Sequence, residues 1–213
     1  MDHAPSVTDT ASLVQTRRQL HGIAECLLAG PEHRETGEIA LRVSPGGFET
    51  TAGSSRRLAG TQLVTDDGHL EATGTFADLA ARLDVQFGRP DLDYPDGSDA
   101  RAEDVVALDV QAARVLEDWF ELGDAALRRF EPSQSPILWP EHFDVAIELD
   151  QGIFGASPGD DAHPTPYAYV STRDHDADGY WNASFGALRD HTELRSVEDL
   201  VSFWTEGRQR LAG

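Results

Sequence analysis

The stretch ILWPEHFDVAIELDQG, residues 137–152, alternates oily and ionisable side chains. With the two-residue period of an extended chain, Phe143, Val145, Ile147 and Leu149 share one face, and His142, Asp144, Ala146, Glu148 and Asp150 share the other. Pro140 lacks a backbone donor and suits the start of a strand, while Gly152 and the SPGD that follows mark where pairing should stop. The segment predicts a half-buried strand of an antiparallel sheet. A sheet with one wet side yields the same alternation with no function attached.

Working outward, residues 8–30, TDTASLVQTRRQLHGIAECLLAG, predict a first helix with Thr8 or Thr10 as cap, an apolar stripe of Leu13, Leu20, Ile23, Leu27 and Leu28, and an end at Gly30-Pro31. GEIALRVSPGGFETTAG (37–53) predicts two strands around Pro45-Gly46-Gly47, and QLVTDDGHLEATG (62–74) a hairpin at Asp67-Gly68. Thr75 is placed to cap a short helix over FADLAARLDV. The longest helix is predicted over roughly 103–130, with Val105, Leu108, Ala112, Val115, Trp119, Leu122, Ala126 and Phe130 as its stripe. Gly123 inside it costs about 1 kcal/mol of helix propensity. PYAYVST and GYWNASFGAL read as strands, and SVED (196–199) opens a last helix with capping-box spacing. The order predicts an α+β fold: an antiparallel sheet with a long core helix and N- and C-terminal helices mainly on one face. We expect one domain over 1–213, with a polar leader at 1–8 and an acidic loop at about 89–103.

Of 213 residues 39% are apolar, enough for a compact core. Thirty-eight acids against seventeen bases, all arginine, give a net charge of −21, which disfavours nucleic acid and anionic membranes as partners. A solvated loop explains the acids of DLDYPDGSDARAED (91–104); a basic protein partner is the alternative. Cys26 is the single cysteine and sits in an apolar helical register, so it reads as a small buried hydrophobe in preference to a nucleophile. No run has the length of a membrane span and the first residues lack a secretory pattern, so the expected location is the cytoplasm.

Three stretches could carry chemistry. On the polar face, His142, Asp144 and Glu148 are the candidate catalytic residues, because side chains two apart on a strand sit ~7 Å from each other and could share a metal, a water or a substrate. A histidine titrates near neutrality and a carboxylate beside it favours its charged form, so the pair could hold or move a proton. Trp139, Glu141, His163, Tyr167, Tyr169, Trp181 and Asn182 are candidate ligand-binding residues; with Tyr180 their aromatic rings could wall a small-molecule pocket or could be core. GIFGASPGDDAHPTPY (152–167) could roof such a pocket and bring in Ser157, Asp160 or His163. Asp174, Asp176, Asp178 and Gly179 share the opening spacing of a calcium loop, but Phe185 stands where the bidentate Glu belongs, and an acidic turn explains the same letters. Ser157 lacks the G-x-S-x-G setting of a nucleophile elbow. No cofactor or metal is specified.

TRRQLHGIAE, EIALRVSPGGFET, SPILWPEHFDVAIELD and the pair PYAYV and YWNASFGA together resemble a family of bacterial single-domain proteins common in actinobacteria. The specific part is short: Ser135-Pro136, Trp139, Phe143-Asp144 and Tyr167-Ala168-Tyr169. The resemblance implies an order of elements and one domain, and it brings no activity or catalytic residue with it. The best reading is a small-molecule enzyme or binding protein using the polar face, with metal assistance an option; the alternative is a non-catalytic acidic module that binds a basic protein.

Overall fold

A computed structural model describes residues 9–149, 152–173 and 179–212. Asp150 and residues 174–178, which hold the aspartates of the calcium-loop spacing, lie outside the described residues. Within them the fold is α+β, two antiparallel meanders joined side by side. The first comprises β1 (Leu41–Ser44), β2 (Gly47–Thr50), β3 (Arg56–Ala59), β4 (Gln62–Thr65) and β5 (Gly68–Glu71). A small separate pair, β6 (Thr73–Thr75) and β7 (Val105–Ala107), follows. The second meander comprises β8 (Ile137–Trp139), β9 (Asp144–Leu149), β10 (Gly152–Ser157), β11 (Tyr167–Ser171) and β12 (Gly186–Asp190). Pairing of β1 with β8 at Leu41 and Leu138 fuses them into a ten-stranded sheet ordered β12-β11-β10-β9-β8-β1-β2-β3-β4-β5.

The register sorts side chains cleanly. Leu138, Val145, Ile147, Phe154, Ala156, Ala168, Val170 and Ala187 lie on one face of the second meander and are buried, continuous with Leu41, Phe48, Leu58 and Leu63 of the first. Against this face pack α4 (Val110–Phe130), through Leu116, Phe120, Leu127 and Phe130, and α5 (Val197–Leu211), through Leu200 and Trp204. Two caps match the sequence reading: Thr75 and Asp78 close a full capping box on α3 (Phe76–Leu83), and Ser196 accepts from the Asp199 N–H. The first helix is capped by Asp9, whose carboxylate accepts the Ala11 and Ser12 N–H groups, and not by Thr8 or Thr10.

Four elements differ from expectation. Of GYWNASFGAL (179–188), read as a strand, only Gly186–Leu188 extend, opening β12, while Tyr180 and Trp181 pack into the core. The first helix does not stop at Gly30-Pro31. α1 (Thr10–Gly22) widens into a π-helical stretch, Ile23–Ala29, and continues as α2 (Gly30–Thr36). Pro31 cannot donate, and in the π register its missing bond would have gone to Cys26. The Cys26 carbonyl instead accepts from the Gly88 N–H at 3.2 Å. Gly30 allows this close approach, because a Cβ there would lie 1.8 Å from the Gly88 carbonyl oxygen. Arg34 then binds the carbonyls of Gln86, Gly88 and Arg89. The Gly-Pro pair is a dock for a loop, and the rod runs on.

The long helix begins only at Val110, capped by Asp109, because Val105–Ala107 extend to pair with β6. Val105, expected on the buried stripe, is 63% exposed. Finally, residues 152–157 form β10 and not the start of a roofing loop: Phe154 and Ala156 belong to the core, and only 158–166 is irregular.

Gly123 has a packing reason. A Cβ there would sit 2.7 Å from the Ala156 Cβ and 3.2 Å from the Val145 Cγ1, so the bare glycine lets α4 rest directly on the sheet. Overpacking of about 1–3 kcal/mol opposes a helix-propensity gain of about 1 kcal/mol. Gly123→Ala is expected to lower the urea midpoint; a raised midpoint would mean that the helix has room to withdraw.

Candidate functional site

Opposite the core face lies a cleft of about 820 Å³. Its floor is the other side of the second meander, where the register places Asp144, Ser157, Tyr167, Tyr169 and Ser171 together. Its rim is built from three loops and from α1.

The floor is organised around Asp144, which is 6% exposed. Tyr169, two strands away, donates its hydroxyl to Asp144 Oδ2. Its ring reaches there by crossing Gly155 of the intervening strand; a Cβ on Gly155 would lie 2.5 Å from that ring. Burial pushes the Asp144 carboxyl up to about 6, against the opposing effects of the Tyr169 hydroxyl and of His142. Burial, with the Asp144 charge beside it, also holds the Tyr169 phenol well above its ordinary range, so the phenol keeps its proton and donates. Asp144 Oδ1 is buried with no hydrogen-bond partner, and so is Glu141 Oε2 on the rim. A desolvated carboxylate with one oxygen held and the other open is poised to accept a further donor or to exchange a proton.

The rim hangs from one row of the first helix, Arg17, His21 and Glu25, each four residues from the next. Arg17, 6% exposed, donates to the Asp160 carbonyl at 2.8 Å and to Asp161 Oδ1 at 3.3 Å, pinning the 158–166 loop. The Pro140 carbonyl accepts from His21 Nε2 at 2.8 Å, and burial pushes the pKa of that imidazole below its ordinary value. Glu25, 1% exposed, accepts from the Tyr94 hydroxyl at 2.6 Å, the Ser98 N–H at 2.8 Å and the Ser98 hydroxyl at 2.6 Å. The acidic loop is thus folded onto Glu25, and residues 95–99 wall the cleft.

The residues expected from sequence divide. Asp144, Tyr167 and Tyr169 come together on the floor, with Tyr167 donating to Asp160 Oδ2 at 2.6 Å. Glu141 and His142 line the rim. His142 is not, however, two places along a strand face from Asp144. Residues 140–143 form the turn of a β8–β9 hairpin in which Trp139 pairs with Asp144, so the ~7 Å spacing of an extended chain does not apply. His142 is 55% exposed and its Nδ1 lies 3.4 Å from Asp96 Oδ2. Glu148 is exposed and Trp139 pairs beside the cleft; neither lines it. His163 bonds Asp190 and packs edge-on to Tyr167, outside the lining. Trp181 is core, edge-on to Tyr180, and Asn182 ties down β12 through the Leu188 backbone. Ser157 Oγ accepts the Gly159 N–H, and His163 turns to Asp190, so no triad forms on Ser157. Cys26 is buried, and burial followed by the Glu25 charge pushes its thiol up to about 12.

Sequence reasoning passed over Arg17, His21, Ile153, Ser171, Phe185 and the 95–99 wall. Arg17 had a signal: it falls between Leu13 and Leu20 on the helix's own apolar stripe, where a guanidinium is out of place without a buried task. Among the described residues no three His, Cys, Asp or Glu side chains converge as metal ligands would, and no helix is long and apolar enough to cross a membrane. Compared with known proteins, the chain matches no family model, no curated protein and no solved structure.

Asp144 has a stability signature. Between pH about 4 and about 6 the folded chain keeps a proton that an unfolded aspartate has released, so this group's contribution falls as pH rises through that window. Asp144→Asn, which keeps the shape and an acceptor for Tyr169, is expected to be the more stable protein at pH 7.5 by up to roughly 3 kcal/mol, and no more stable at pH 4. Urea titrations at the two values check it; a variant destabilised equally at both would mean that the carboxylate holds the fold together.

Proposed function

We propose that the chain binds a small molecule in this cleft and that Asp144, with the Tyr169 hydroxyl, gives or takes a proton there. The observation that carries the reading is the buried, unpartnered Asp144 Oδ1 on the floor of a cleft of about 820 Å³. That volume lies in the usual range of ligand pockets, which combine apolar and aromatic walls with a few convergent polar groups. Here Phe143, Ile153, Tyr167, Tyr169 and Phe185 supply the first and Asp144, Glu141 and Ser157 the second.

The role of each group follows from its surroundings. Asp144 is the proton acceptor, because burial lifts its affinity for a proton toward neutrality and leaves one oxygen open. Tyr169 is the positioning donor that fixes the other oxygen. His142, at the mouth beside Asp96, is placed to receive a ligand's outer end and is not part of the couple. Crystals soaked with a fragment set of mixed charge are expected to show density in the cleft, within hydrogen-bond reach of Asp144 Oδ1. Fragments scattered over the exterior with the cleft empty would overturn the proposal.

A further inference from the structure

The lining of the cleft is uneven in charge. Six carboxylates face it, from Asp96, Asp99, Glu141, Asp144, Asp160 and Asp161, against the two guanidiniums of Arg17 and Arg18. Both guanidiniums are occupied. Arg17 binds the Asp160 carbonyl and Asp161, and Arg18 binds the same Asp161 oxygen at 2.9 Å. Two of the carboxylates are not: Asp144 on the floor and Glu141 on the rim each keep a buried oxygen without a partner. An anion entering here would meet those oxygens with no free cation to receive it, and a neutral ligand would leave the charge on Asp144 desolvated. A cation satisfies the open acceptors, and the rings of Tyr167, Tyr169 and Phe185 around them offer π faces to its apolar part.

Resting on the reading of the cleft as a small-molecule site, we infer that its ligand class is an organic amine, bound as the ammonium ion, with the nitrogen donating to Asp144 Oδ1 and the carbon skeleton against the tyrosine wall. The ionisation of Asp144 then governs binding. Facing it are Tyr169 and Tyr167 from β11, Glu141 and His142 from the β8–β9 turn, and Arg17 and His21 from α1 on the same lining. Burial disfavours the charged form of His21 and both tyrosines keep their protons, while Asp144 becomes an anion as pH rises through about 6. Ammonium binding strengthens with it.

Three probes of nearly one shape test the charge class: benzylammonium, benzyl alcohol and benzoate, titrated by ligand-observed NMR into the full chain and into Asp144→Asn. The expected result is that benzylammonium binds the unaltered protein at pH 7.5 at least tenfold more tightly than the other two. Its affinity should fall about tenfold at pH 5, where a carboxyl titrating near 6 is about nine-tenths protonated. Asp144→Asn should lose the same preference while keeping its fold, checked by circular dichroism. Benzyl alcohol or benzoate binding as tightly as benzylammonium, in competition with fragments found in the cleft, would overturn the amine assignment and leave the small-molecule site standing. Benzylammonium binding undiminished in Asp144→Asn, or not binding the unaltered protein at all, would equally overturn the assignment.

Discussion

The cleft exists because one helix carries a polar row on a side that is otherwise buried. Arg17, His21 and Glu25 follow one another at four-residue intervals, and each binds a different rim segment: the 158–166 loop, the 140–143 turn and the 94–98 stretch. Hydrogen bonds contribute about 0.5–1.5 kcal/mol each, or about 1.5–3 kcal/mol where one partner is charged as Arg17 is, and leaving a buried charged group unpaired costs more than a neutral bond returns. The loops therefore hold to the helix, and the helix cannot be repacked without releasing them. The π-helical widening over Ile23–Ala29 belongs to the same device, since it carries Glu25 and frees the Cys26 carbonyl for Gly88.

The middle tether works through Phe143. This bulky residue has a positive φ of 53°, a conformation that costs about 1–3 kcal/mol. Its ring is 1% exposed, stacked on His21 and edge-on to Phe48 and Phe120. Burying a phenylalanine is worth about 1.5–3 kcal/mol and aromatic pairs add about 0.5–1.5 kcal/mol each, so packing outweighs the strain. The consequence is directional. With Phe143 driven into the core, Asp144 must point to the opposite face, and Glu141 and His142 are left on the turn above it.

How much of this the sequence disclosed depends on the range of the interaction responsible. Most strands of both meanders follow from alternation and turn signals, β3 excepted because Arg56 and Arg57 hide its period, and the caps at Thr75 and Ser196 follow from three-residue spacing, because those forces act within a few residues. Asp144, Tyr167 and Tyr169 were legible as members of one polar face, since period two survives any sheet order. The β8–β9 turn was not, because Pro140 at a strand start and Pro140 in a four-residue hairpin loop read alike until Trp139 finds its partner. Nor was the continuation through Gly30-Pro31, which depends on a loop 58 places downstream presenting the Gly88 N–H. The rim shares that difficulty: Glu25, Tyr94 and Ser98 meet only in the folded chain. Arg17 alone broke its local pattern visibly.

A structural role does not account for Asp144. An asparagine would accept the Tyr169 hydroxyl equally well, and an alanine would pack like Ala146 beside it, either without the cost of a desolvated carboxylate. The surroundings maintain that cost: Gly155 is bare so that the Tyr169 ring can cross it, the phenol fixes one oxygen, and the other is buried and unpaired. These departures from local rules gather at one hollow, and the proton-exchange role proposed for Asp144 rests on them. The overall charge of −21 does not reproduce this pattern, because carboxylates in solvent raise no such penalty. Glu32, Glu117 and Glu141 also keep a buried oxygen without a partner; Asp144 differs in doing so on the sheet floor of the cleft, beside Tyr169.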